Sequence, residues 1–239
     1  MSRSIILRAL LCCSLLAILA APSPAGQVLR LGAGTQTLHA TPQDAIDLAS
    51  DGDVLLFESG TYPGFTVPGL ALTLAALPDS NVRIEGSVQV RWIADSQSVV
   101  LSGLTIIGPA DLSASTATYA LWIRSAGGTV TVQDCTVQGN SCGSSYRGGD
   151  ALRVTDSPRV ALLGCTVQGG SGGGCGTYLT HGGGLGIDAS ASGLVIQDSL
   201  VRGGWGEDSD GVGTHAGGDG ATAVRLIGTE LYAAGTSVY

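Results

Sequence analysis

An all-β solenoid, with three short strands in each coil of about thirty residues, is the fold this sequence predicts. Three observations predict it: a ten-residue pattern that recurs, apolar alternation inside each copy, and a composition rich in glycine and poor in rings. The copies are VVLSGLTIIG from Val99, VTVQDCTVQG from Val130, VALLGCTVQG from Val160, LVIQDSLVRG from Leu194 and VRLIGTELYA from Val224; their starts lie 31, 30, 34 and 30 residues apart. Glycine supplies 38 of 239 residues while aromatics make up 5%. Such a chain cannot fill a round core with rings, and suits thin layers of Val, Ile and Leu turned at glycine bends.

Taken from the start, residues 1–25 read as a signal peptide. Arg3 and Arg8 give a positive beginning, Ala9 to Ala21 is apolar, and Ala20-Ala21-Pro22-Ser23-Pro24-Ala25 offers small residues for cleavage after Ala21 or Ala25. The run is too short for a membrane span, so the expectation is a secreted, periplasmic or cell-surface protein with one domain over 26–239. Next comes a short helix through Ala49, with Thr41 as N-cap, Pro42 at the first helical position and Asp44 in the first turn. This helix would plug one end of the stack, and Asp51-Gly52-Asp53 would turn into the first strand.

Inside each repeat, Val130 and Val132, Val160 and Leu162, Leu194 and Ile196 alternate with polar residues, the period of a half-buried strand. The fifth column holds Gly103, Asp134, Gly164, Asp198 and Gly228, residue types that tolerate left-handed backbone, so it reads as a corner between two strands. A third strand precedes each pair: ALWI from Ala120, ALRV from Ala151, GLGI from Gly184 and GVGT from Gly211, with Leu121, Leu152, Leu185 and Val212 aligned. Three strands and three bends make one coil of a right-handed parallel β-helix, whose coils bury their apolar faces by stacking.

With the segment Thr41–Val67 and these repeats, the chain resembles the pectin-lyase-like right-handed β-helix superfamily, in its bacterial "right-handed β-helix region" branch, over Thr41 to Leu231. It reads as a short or truncated member. Polysaccharide-active members of that superfamily use the exposed face of the strand preceding each repeat and the loops beside it. The resemblance therefore implies a carbohydrate-related role, binding or cleaving a polysaccharide; the other reading is a non-catalytic structural or adhesion module of the cell surface. The long insertions fall on that side, at Gly139–Asp150, Gly169–Gly183 and Gly203–Asp210.

Alternation lists the outward residues as two columns: Trp122, Arg153, Gly186 and Gly213, then Arg124, Thr155, Asp188 and His215. Rings stack on sugar faces and Arg pairs with uronate carboxylates, which makes Trp122, Arg124, Asp150 and Tyr146 candidate substrate contacts. For elimination from a uronate, Arg153 and His215 are the candidate cation and base. For hydrolysis, Asp188 and Asp210 are the candidate carboxylates. No motif diagnostic of either reaction, and none for a cofactor, is present. Glu207-Asp208-Ser209-Asp210 with Asp219 could hold Ca²⁺, whereas His181 and His215 lack metal-site spacing.

Cys135 and Cys165 share one inward column and predict a buried thiol ladder, since stacking at about 4.8 Å suits a disulfide poorly. Cys142 and Cys175 sit in neighbouring loops and predict a bridge. The net charge of −8, more negative without Arg3 and Arg8, argues against nucleic acid and anionic membranes. Every basic residue is Arg, so no Schiff-base lysine exists.

Overall fold

The computed structural model describes residues 26–109, 119–141, 148–172, 182–206 and 220–239. The leader, the Cys142–Cys175 pair, Tyr146, His181, the acidic segment Glu207–Asp210, His215 and Asp219 lie outside the described residues.

An antiparallel hairpin, β1 (Val28–Gly32) with β2 (Thr35–His39), and helix α1 (Pro42–Asp47) close the N-terminal end. Thr41 caps α1 as its sequence requires, its Oγ1 accepting the Asp44 N–H at 3.2 Å, and Ala45 and Ile46 are buried. Behind this cap, three sheets each take every third strand. The first holds β3 (Val54–Phe57), β6 (Thr73–Ala76), β9 (Ser98–Ser102), β12 (Thr129–Gln133), β15 (Val160–Leu163), β18 (Gly193–Gln197) and β21 (Glu230–Ala234), with β1 and β2 added at the β3 edge. The second holds β4 (Gly60–Pro63), β7 (Val82–Glu85), β10 (Leu104–Ile107), β13 (Thr136–Gln138), β16 (Thr166–Gln168), β19 (Leu200–Arg202) and β22 (Ser237–Val238). The third holds β5 (Thr66–Pro68), β8 (Val88–Arg91), β11 (Tyr119–Arg124), β14 (Asp150–Thr155), β17 (Ile187–Ser190) and β20 (Val224–Ile227). All pairing after β3 is parallel, so the chain is an all-β stack of three-stranded rungs.

Period two decides what fills the stack. Val99, Val130, Val160 and Leu194 stand over one another and are buried, as do Ile84, Ile106, Val137 and Val167 in the second sheet and Val88, Leu121, Leu152 and Ile187 in the third. No rung could bury this surface alone; each is covered by the next.

Two corners recur in every later rung, both built on one left-handed residue followed by an inward one. Asp134 (φ 52°) precedes Cys135, Gly164 (62°) Cys165 and Asp198 (50°) Ser199; at the other corner Asp156 (50°) precedes Ser157 and Ala191 (48°) Ser192. The inward hydroxyl or thiol satisfies two backbone groups. Ser157 donates to the Thr155 carbonyl (2.8 Å) and accepts the Ala126 N–H of the preceding rung (3.1 Å); Ser199 donates to Gln197 (2.8 Å) and accepts from Cys165 (3.0 Å). Cys135 works the same way, accepting from Leu104 N–H at 3.4 Å and donating to the Gln133 carbonyl at 3.2 Å. Both Cys135 and Cys165 are buried free thiols, as their column predicts, and burial pushes the Cys135 thiol up to about 12. A small donor-acceptor side chain thus satisfies these buried corners, whereas Leu104 and Ala126 fill the same positions of the earlier rungs with apolar groups.

The third corner explains the glycine content. Here the long insertions leave the second sheet and return to the third, and their stems interleave. Gly149 N–H donates to Asn140 O, Gly170 to Gly149, Gly184 to Gly170 and Gly204 to Gly184, each at 2.8 Å, and Ala221 donates to Gly204 at 2.9 Å. Outgoing and returning stems alternate along this line. They approach so closely that a Cβ on Gly204 would lie 1.9 Å from the Gly170 oxygen.

Two registers differ from those the sequence predicts. The fifth pattern copy does not continue the column of the other four: Val224 pairs with Ile187 in the third sheet, and Leu231 stands over Leu194. Its Gly228 is the corner between the third and first sheets, and Gly235 is the corner that matches Asp198. In the third sheet Leu152 pairs with Ile187, not Leu185, and β17 pairs next with β20, while the strand expected around Val212 lies outside the described residues. Leu185 and Ile187 are both apolar, both buried and two residues apart, so alternation alone fits either.

At the capped end Asp53 is 4% exposed and ties the hairpin to the stack, accepting from Ser50 N–H (2.9 Å) and Arg30 Nε (2.7 Å). The Ser50 hydrogen bond first, and the Arg30 bond and charge after it, hold its carboxyl below the usual range, against the opposing cost of burial. A depressed carboxylate pKa contributes stability above the unfolded value of about 3.9, and that contribution is lost as pH falls through the lower folded value. Asp53→Asn is therefore expected to lower the urea midpoint at pH 7, and the difference from wild type is expected to shrink as pH falls below the unfolded value. Equal midpoints for the two proteins at pH 7 would refute the role given to this carboxylate.

Candidate binding face

The outer side of the third sheet gathers Arg91, Arg124, Arg153 and Arg225, four of the eleven arginines in an acidic chain. Alternation aims them outward from strands whose intervening residues, Val90, Ile123 and Val154, are fully buried. With the corrected register one column runs Gln89, Trp122, Arg153, Asp188, Arg225 and the next runs Arg91, Arg124, Thr155, Ser190, Ile227. Asp188 therefore belongs beside Arg153 rather than beside Thr155, and Gly186 precedes the paired strand.

Rings hold three of the guanidinium groups. Arg124 lies over Trp122 (4.8 Å to the ring centroid), Arg153 over Tyr119 (4.9 Å) and Arg91 over Trp92 (4.4 Å); Tyr119 and Trp122 are 5.8 Å apart. Arg153 also donates from Nη1 to the Tyr119 hydroxyl, and Trp122 Nε1 donates to Thr155 Oγ1 at 3.4 Å. Among the described residues none of these three arginines has a carboxylate partner, and the Nε donors of Arg91 and Arg153 have no acceptor. A cation stacked on a ring keeps its outward edge free for an anion.

The carboxylates on this face are committed elsewhere. Asp188 is 5% exposed and forms a two-point pair with Arg225, at 3.0 Å to Nε and 2.7 Å to Nη2, which raises the Arg225 pKa further. Asp150 is 2% exposed, and its Oδ1 accepts the Leu185 N–H at 2.6 Å. Its burial puts it out of contact with anything bound outside, where the sequence led us to expect a substrate contact. The structure thus brings Trp122, Arg124, Arg153 and Asp188 together on one face, while Tyr146, Asp210 and His215 fall outside the described residues.

Sequence reasoning missed Tyr119, Arg91, Trp92 and Arg225. The strand VQVR from Val88 has the same alternation as ALWIR and could have revealed Arg91; Arg225 was hidden by the misplaced fifth copy.

Fold and face together define a class: an all-β stack of parallel strands bearing one cationic, ring-lined face. Comparison with protein-family models, with curated proteins and with solved structures finds no match to this chain. Among the described residues no helix is long and apolar enough to cross a membrane.

Proposed function

We propose that the chain is an exported right-handed parallel β-helix of the pectin-lyase-like kind, and that the outer face of its third sheet binds an acidic polysaccharide. One observation carries the reading: Arg91, Arg124 and Arg153 are stacked on rings and have no carboxylate partner among the described residues, although the chain as a whole carries a net charge of −8. In-register strands repeat outward groups about every 4.8 Å, so a linear polymer lying along the stack meets cation after cation. Uronate carboxylates offer the two-oxygen acceptor that a guanidinium edge fits.

Binding is the form this reading takes: among the described residues the candidate carboxylate Asp188 is held in a two-point pair by Arg225. Affinity electrophoresis through polygalacturonate and alginate, with a neutral mannan as control, tests it. Retardation by the acidic polymers alone is expected, with a loss of at least ~10-fold in affinity for the Arg124→Gln/Arg153→Gln double variant, as charge-assisted pairs are worth about 1.5–3 kcal/mol each. Retardation that is equal for mannan, or unchanged in the double variant, would overturn the assignment. Release of unsaturated or reducing ends would show cleavage instead.

A further inference from the structure

The outer face of the first sheet differs from the other two in keeping its charged residues, Arg159 and Glu230, in the column at one edge. One outward column contains Val54, Val100, Ala161, Val195 and Tyr232, with only threonines between them. Its neighbour contains Leu56, Ala75 and Leu163 with Ser102, Gln133 and Gln197. Neither column has a charged residue from β3 to β21, whereas the second sheet turns out Arg83, Glu85 and Arg202 and the third its arginines. Charge has been kept off the middle of this face in a molecule in which 13% of residues are charged.

We propose that this face is where two copies of the chain pack together, sheet on sheet. Its size, composition and shape each argue for a second copy as the occupant. Nine strands at about 4.8 Å, each presenting roughly 13 Å of backbone, give a face of about 500 Å² per copy and about 1,000 Å² for a pair, the lower bound of a specific interface. A two-fold contact sets one patch against itself, and an uncharged patch meets its own copy without like-charge repulsion. The border is polar, with Asp134 and Asp198 along one edge and Arg159 along the other, the anatomy of an interface with an apolar centre. The face also carries a projection and a hollow: Tyr232 is 66% exposed, and beside it Ala161 and Val195, together with Arg159 and Glu230 from the charged edge, line a recess of about 490 Å³. Regular strands at constant spacing let two such sheets align over their whole length.

Sedimentation velocity of the full chain from ~1 to ~100 μM tests the proposal. Wild type is expected to shift from monomer to dimer. Val100→Arg and Leu163→Arg, both outward-facing, are expected to keep the β-sheet circular dichroism and to weaken the dimer at least ~10-fold, while Thr131→Lys repeats the test at a polar position. The Arg153→Gln variant on the opposite function is expected to dimerise as wild type does. A wild type that stays monomeric throughout overturns the proposal. So does a dimer that survives all three first-sheet substitutions yet is lost in Val238→Arg, because Val238, 52% exposed on the last rung, would then mark the contact.

Discussion

Gly204→Ala is expected to destabilise the protein by about 3 kcal/mol or more, the upper range for a single substitution. The added Cβ would stand 1.9 Å from the Gly170 oxygen and 2.8 Å from the Gly184 nitrogen, and both are backbone atoms that no rotamer change can move. Gly204 also accepts from Ala221 and donates to Gly184, so it lies within the line of bonds that fastens successive loop stems. Pushing it aside breaks a bond on each side of the stack at once. The control is Gly220→Ala, on the returning stem beside it, where the new Cβ would meet nothing nearer than the Gly204 oxygen at 3.8 Å. That change is expected to stay within about 0.5 kcal/mol. Urea melts of both variants decide it; equal midpoints would mean that the stems are looser than their hydrogen bonds describe.

Leu121→Ala should cost about 3–4 kcal/mol, from lost transfer energy and from the cavity that two rigid neighbours cannot close. Leu121 is fully buried, with Val88 above it and Leu152 below in the same column. The column cannot collapse into the gap because backbone ladders fix the rung spacing on three sides. Leu163 is the counterpart on the outer face of the first sheet, where Ala is expected to cost less than ~1 kcal/mol in the monomer. Thermal or urea unfolding of the pair checks the contrast. Similar losses for both would contradict the inward and outward assignment on which every face described above depends.

That assignment was readable from the sequence in the middle of the chain and failed toward its end, for a physical reason. Val99, Val130, Val160 and Leu194 announce their stacking because strand period, corner residue and repeat length all agree. Val224 misleads because the left-handed corner followed by an inward small or polar residue occurs twice per rung. Gly228-Thr229 and Gly164-Cys165 look alike although one turns from the third sheet and the other from the first. Before it comes a glycine-rich stretch with no apolar period to count through.

The binding face shows the same division. Which side chains point outward from ALWIR and ALRVT followed from alternation, so Trp122, Arg124 and Arg153 could be named from residue order alone. That Asp188 is taken up by Arg225, and that Asp150 is buried, could not. Both depend on which rung lies next along the stack, a relation across some thirty residues that no local pattern encodes.

By itself, then, the sequence determined strand period, corner chemistry, the capping helix and the inward columns, because these arise from backbone sterics and burial within a few residues. Only the tertiary structure decided register across the long insertions, the interleaving of glycine stems and the gathering of arginines onto the third sheet. Those are properties of rung set upon rung, where hydrogen bonding between backbones selects one alignment among several that hydrophobic patterning permits.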